Sequence, residues 1–362
     1  MRLQRKRLEG TEKDENSKYM MKGMSIFAYI THTTGRLPLL TALMLVTIVS
    51  KAELQKIGNV YCIHNASELN EFGTIVAKGD TTANGMLMND IDFSGWTYWE
   101  PIGGRGDGNP NPYCGHFDGG GHCIKNLVVD HASKGWSSQG VFGRVTAGCV
   151  IANLVFDSSC SISGKNFVGG IAGKVSGVAK GTVKFVNCGN EGNVSCNMTE
   201  GSNAGGILGG NESKEIQVEL KNCYNAGNVG GYSWCGAISG KVESAPIVTN
   251  CYNIGTVKET IGASMNFVAN FSTFNNCYYN NCYYLAGKNN NTGNATSVST
   301  KEELIGKFGT EYEGLYPYVP SFDNGYYLLG SVRDMQWFSN IVGNYLSVNA
   351  RQTAAIDLSG VN

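Results

Sequence analysis

A glycine-rich block occurs three times along the middle of this chain, and that recurrence limits the fold more than any other feature. The copies are Val168-Gly169-Gly170-Ile171-Ala172-Gly173, Ala204-Gly205-Gly206-Ile207-Leu208-Gly209 and Cys235-Gly236-Ala237-Ile238-Ser239-Gly240. Each is followed by an Asn-Cys pair: Asn187-Cys188, Asn222-Cys223 and Asn250-Cys251. A Gly-x-Val turn comes next, at Gly192, Gly227 and Gly255. Weaker copies lie upstream at Gly140-Val141-Phe142-Gly143 and downstream at Asn276-Cys277 and Asn281-Cys282. Glycine costs a helix interior about 1 kcal/mol relative to alanine, so these blocks do not suit a helical solenoid. Thr182–Val186 and Ile216–Leu220 alternate apolar with polar residues, as strands do. One such unit cannot bury its apolar side alone, whereas stacked units can. The sequence therefore predicts an all-β chain: a right-handed parallel β-helix with turns of unequal length looped to the outside.

Stacking places Cys188, Cys223 and Cys251 in one column, with Cys277 as its continuation. In-register coils lie about 4.8 Å apart, so small thiols pack inward as a ladder. The asparagines before them form a second ladder of side-chain amides. Disulfides are the rival reading, and the shared direction of in-register side chains favours thiols. The residue after an inward cysteine points outward. Tyr224, Tyr252 and Tyr278 are therefore expected as an exposed aromatic column, suited to stacking on a sugar or packing on a protein. Plain surface ladder stabilisation is the alternative.

Of 362 residues, 28 are basic and 29 acidic, a balance that offers nucleic acid no basic surface. Glycine, at 49 residues, has no G-X-Y period, which excludes collagen. The 12 cysteines include no CxxC pair and no Cys/His cluster of zinc spacing, so neither metal nor cofactor is expected. Residues 38–50 form an apolar run preceded by Arg36 and followed by Ser50-Lys51-Ala52. This pattern reads as a secretory signal peptide within residues 1–52, cleaved near Ala52, and the run is too short to favour a membrane span. The mature chain is expected outside the cell or on its surface, without a stable span.

Upstream of the repeats lies Ser67-Glu68-Leu69-Asn70-Glu71-Phe72, read as a capping helix with Ser67 as N-cap. Asp90-Ile91-Asp92, Trp99-Glu100-Pro101-Ile102-Gly103 and Phe117-Asp118-Gly119-Gly120-Gly121-His122 follow. These blocks, the Gly-Gly-x-x-Gly core and the Asn-Cys-Tyr-Asn run together resemble the GLUG-repeat family of bacterial surface proteins over about residues 60–285. Gly120 and Ser239 depart from the family pattern. The resemblance implies a β-helical stalk or adhesin-like module, and it carries no catalytic residues with it.

The reading divides the chain into a cap with first coils (53–130), the repeats (131–285), a polar linker with a helix from Thr300 to Gly306 (286–325), and the start of a second module (326–362). Met335-Gln336-Trp337-Phe338 repeats Leu69-Asn70-Glu71-Phe72, and Ile356-Asp357-Leu358 repeats Ile91-Asp92-Phe93. That second module is expected to be incomplete.

Parallel β-helices can host polysaccharide lyases and glycosidases, and Asp90, Asp92, Asp118 and His122 are the candidate acid–base groups. Asp118, Gly119 and His122 read more simply as a turn whose side chains bond their own backbone. The expectation is a non-enzymatic, adhesin-like or spacer module for an unidentified surface glycan or protein, with a carbohydrate-active enzyme as the alternative.

Overall fold

The computed structural model describes residues 54–105, 111–197, 202–259, 266–268, 278–287, 295–308, 320, 322–323, 326–331, 334–335, 338 and 349–356. The expected signal peptide and Cys277 lie outside the described residues.

Helix α1, Ala66–Ala77, opens the fold. Its N-cap is Asn65, two residues before the serine that the sequence suggested: the Glu68 amide donates to Asn65 Oδ1 at 3.0 Å. The Glu68 carboxylate in turn accepts from the His64 amide at 2.8 Å and from Asn65 Nδ2 at 2.8 Å, a reciprocal box that satisfies the first turn. Leu69, Phe72 and Val76 are buried and join the main core. The helix closes one end of that core.

After it the chain winds as a parallel β-solenoid. Each turn contributes strands to four faces, which hold nine, eight, five and seven strands. The five strands of the third face mark five turns. On the first face, Phe117, Ile151, Phe185, Leu220 and Val248 stand in register, one per coil, and all are at most 1% exposed. On the third, Val129, Ile162, Val194, Val229 and Val257 also stand in register and are buried. Full burial of each such side chain contributes about 1.5–3 kcal/mol. On the fourth face Gly169, Gly205 and Gly236 are in register. Gly170 and Gly206 form the adjacent column, which Ala237 continues, since the Gly170 amide donates to Gly206 O and the Gly206 amide to Ala237 O. Gly236 thus belongs with Gly169 and Gly205.

Polar columns run alongside the apolar ones. Asn153, Asn187, Asn222 and Asn250 all sit at φ between 52° and 54°, the left-handed region that asparagine tolerates best after glycine. Asn250 Nδ2 donates to Asn222 Oδ1 (3.2 Å), Asn222 to Asn187 (2.9 Å), Asn187 to Asn153 (2.9 Å) and Asn153 to Asp118 Oδ1 (2.9 Å). A second row lies inside the second face, where Asn190 Nδ2 donates to Asn225 Oδ1 (2.6 Å) and Asn225 to Asn253 (2.8 Å). Below Asn190 the same column holds Phe156 and Ile124.

The thiol column is Cys188, Cys223, Cys251 and then Cys282, which takes the place expected for Cys277. Tyr283 stands in register with Tyr252, which brings the preceding Cys282 over Cys251. Each sulfur donates to a carbonyl of the coil before it: Ile151, Phe185, Leu220 and Val248. All described cysteines are free thiols.

Between residues 286 and 325 a strand precedes the expected helix. Thr296–Val298 adds a parallel strand beside Tyr283–Leu285, and helix α2, Lys301–Phe308, follows it. Its cap is Thr300, whose Oγ1 accepts from the Glu303 amide at 3.0 Å. Further on, Phe322–Asp323 pairs antiparallel with Tyr326–Leu329, and Ala350–Gln352 pairs parallel with the latter. Lys56–Ile57, Val60–Ile63 and Asn84–Leu87 make the same three-strand pattern. Cap chemistry repeats as well, since Asp334 accepts from the Gly330 amide and donates its own amide to Ser331 Oγ.

Candidate ligand-binding cleft

The structure covers the tyrosine column. Tyr224 and Tyr252 are each 3% exposed, stacked at 5.3 Å with an interplanar angle of 10°. They do point away from the thiol column. Ile254, Val298 and Leu304 pack with them, so the strand before α2 and α2 itself lie across the rings. Tyr224 Oη donates to Glu191 Oε1 at 2.8 Å. The expectation of an exposed binding column is corrected: alternation sets which way a side chain leaves its strand, but not what later folds over it. Tyr278 belongs to a different face, in register with Ile247, and Tyr283 takes the column position.

The acidic candidates sit in turns. Asp90 accepts from Lys125 Nζ (2.5 Å), the Cys123 amide (3.1 Å) and His122 Nδ1 (3.3 Å). Partial burial works against its ionisation, but these hydrogen bonds outweigh it and hold the carboxyl below its ordinary range. Asp92 accepts from Asn126 Nδ2 and from the Ser94 amide and hydroxyl, which lowers it too. Asp118 is 1% exposed. It accepts from the Gly120 amide (2.8 Å) and Asn153, with Tyr327 Oη at 3.5 Å, while Gly119 packs against the Asn153 carbonyl. Burial pushes the Asp118 carboxyl up despite those donors.

A folded pKa above the unfolded one means that stability from this group is full below the unfolded value and is lost as pH rises through the folded value. Asp118→Asn keeps an acceptor for Asn153 and removes the buried charge. We expect the variant to be about 1 kcal/mol more stable at pH 7, roughly 2–4 °C in melting temperature, with the gain vanishing toward pH 4. Thermal melts across pH 4–8 check this, and a gain independent of pH would refute it.

The described cleft is elsewhere, at the corner before the fourth face. Its volume is about 120 Å³, and Phe167, Asn203, Trp234, Glu212, Lys241 and Glu243 line it with Asn166 and Asn211. Val168, Ala204 and Cys235 are in register, so the residues before them, Phe167, Asn203 and Trp234, form a column along the cleft. The two rings stand two rungs apart, about 10 Å. Lys174 Nζ lies 4.6 Å from the Phe167 ring and Lys241 Nζ 4.9 Å from the Trp234 ring. Both lysines are paired, Lys174 with Glu212 and Lys241 with Glu243, each at 2.5 Å. Asn166 Oδ1 accepts from the Asn203 amide (2.8 Å) and Asn203 Nδ2 (3.0 Å). Phe167 and Trp234 hold φ of 55° and 48°. Bulky residues rarely adopt that conformation, and such strain concentrates at functional sites. The sequence did carry a signal for this: an aromatic residue immediately precedes two of the three glycine cores.

No protein-family model matches the chain. It is similar to halomucin of Haloquadratum walsbyi (strain DSM 16790 / HBSQ001), 27% identical over 177 residues, or 49% of this chain. The chain spans 2% of that protein's length. Among solved structures it is similar to one from Bacteroides ovatus described as a putative immunoglobulin A1 protease. That likeness has 21% identity and a TM-score of 0.47, and covers 66% of this chain and 81% of that one.

That neighbour corrects the expectation of a non-enzyme. The structure that the chain is similar to is described as a putative protease, so the chain is no longer taken as a non-enzyme. At 21% identity and a TM-score of 0.47 the likeness assigns no activity to this chain. Among the described residues no group of three or more His, Cys, Asp or Glu could hold a metal ion, and no helix is long and apolar enough to cross a membrane.

Proposed function

We propose that this β-solenoid is an extracellular, adhesin-like module of the GLUG-repeat kind, and that it binds a glycan in the Phe167–Trp234 cleft. The observation that carries the reading is the half-buried Trp234 ring held at positive φ beside the cleft, two rungs along one column from Phe167, whose ring is 7% exposed and lies in the cleft wall. A corner needing that backbone is served at lower cost by glycine or asparagine. Phe167 and Trp234 keep their rings there instead. Aromatic faces stack on the apolar faces of sugar rings, while the carboxylates of Glu212 and Glu243 and the amides of Asn203 and Asn211 suit hydroxyl groups. The partial likeness to a far longer protein fits an extracellular module of many units. Export rests on the apolar run of residues 38–50.

Trp234→Gly removes the platform and relieves the backbone at once. Screening on a glycan array, followed by titration of the best saccharide, should show at least a tenfold loss of affinity in Trp234→Gly, or about 1.4 kcal/mol. The circular dichroism spectrum should be unchanged, and Trp234→Tyr should bind nearly as well as the parent. Equal binding by parent and Trp234→Gly would remove the cleft from the proposal. A reducing-sugar assay run alongside reports whether the bound saccharide is also cut.

A further inference from the structure

Two thiols outside the ladder meet at a corner of the solenoid. Cys196 ends the strand Asn193–Cys196 of the third face, and Cys235 begins the strand Cys235–Ser239 of the fourth. Both are buried. Each thiol is the other's hydrogen-bond partner, as neighbouring ladder thiols also are, and Cys235 Sγ donates to the Ser233 carbonyl as well. Gly231 lies beside them, in the rung above Cys196. A Cβ at Gly231 would fall 2.6 Å from Cys196 Sγ and 2.9 Å from Cys235 Sγ. The sulfurs therefore share one small space that a glycine keeps open.

The ladder thiols differ in geometry. Each pair of ladder neighbours sits on adjacent, in-register parallel strands, with side chains running side by side about 4.8 Å apart. A disulfide wants Cβ atoms about 3.5–4.5 Å apart with a Cβ–S–S–Cβ dihedral near 90°. Parallel vectors at rung spacing miss both conditions. Cys196 and Cys235 come from different faces and converge on one point.

We infer that Cys196 and Cys235 are the disulfide-forming pair of this protein, and that the ladder cysteines remain thiols. The reaction is exchange with a disulfide oxidant. One thiolate attacks the oxidant and releases its first thiol; the second thiolate then attacks the mixed disulfide, releasing the other thiol and closing the Cys196–Cys235 bond. Two protons and two electrons leave the pair, and the oxidant is reduced to two thiols. The bond closes a loop across the corner between two coils, which restricts the unfolded chain and stabilises the native one.

The test uses the full chain treated with glutathione disulfide. Remaining thiols are alkylated in denaturant, and peptides are mapped by mass spectrometry without reduction. The expected result is one linked peptide pair joining Cys196 to Cys235, with Cys188, Cys223, Cys251 and Cys282 alkylated. The melting temperature of the oxidised chain should rise by several degrees, and the rise should be absent in Cys196→Ser. A link within the ladder, or alkylation of both Cys196 and Cys235 after oxidation, overturns the inference.

Discussion

Gly227→Ala should destroy the central coils. Gly227 lies in the turn between the second and third faces, and a Cβ there would sit 2.0 Å from the Gly192 carbonyl oxygen and 2.7 Å from the Glu191 carbonyl carbon. Both atoms are backbone, so no rotamer change relieves the contact. The coil below would have to move, and it is fixed by ladders on four faces. We expect a loss of about 4 kcal/mol or more, which places the change among the severe ones. The measurement is the urea unfolding curve of the purified variant, and a midpoint near the parent's would refute the packing described for this turn. Gly135→Ala is the control. Nothing lies within 4 Å of a Cβ at Gly135, whose φ is +67°, so only the cost of left-handed backbone remains, about 1–2 kcal/mol.

Asn222→Ala should be among the most damaging single changes on the amide row. It removes two side-chain hydrogen bonds, to Asn187 at 2.9 Å and from Asn250 at 3.2 Å. Each contributes about 1 kcal/mol net. The backbone at φ 54° adds about 1 kcal/mol for alanine. The sum is about 3 kcal/mol. Asn222→Gly loses the same hydrogen bonds but adopts that φ freely, so it should recover about 1 kcal/mol of the loss. Equal destabilisation by the two variants would show that backbone conformation is not what selects asparagine there.

The solenoid was legible because its signals are local and repeated. A glycine core followed by an Asn-Cys pair marks a rung, and the amide and thiol columns follow from stacking identical rungs. The strands Thr182–Val186 and Ile216–Leu220, read from alternation alone, lie in register in the structure. That Cys282 stands over Cys251, where Cys277 was expected, has an equally local cause. Two Asn-Cys-Tyr copies stand five residues apart, and only pairing of Tyr283 with Tyr252 decides which one stacks. The binding face was not legible. Whether Tyr224 is exposed depends on Val298 and Leu304, far along the chain and read as linker and lone helix. The cleft was hidden for a related reason. Phe167 and Trp234 are 67 positions apart, in blocks of different length, and only register places them on one column. The N-cap was missed because Asn65 and Ser67 are both good caps, and it is the Glu68 carboxylate that selects the former.

The two amide rows also differ in sense. From Asn250 down to Asp118, every side-chain N–H points toward the first coils, whereas from Asn190 to Asn253 every one points toward the last. Aligned amides polarise one another, so each row acts as a short electrostatic wire. The longer wire brings its positive end to rest on the Asp118 carboxylate, and the shorter one leaves the Asn190 carbonyl oxygen without a donor at its negative end, where Phe156 takes over the column. Because the wires run in opposition, a coil that carries both asparagines lengthens the two together when it is added and shortens them together when it is lost.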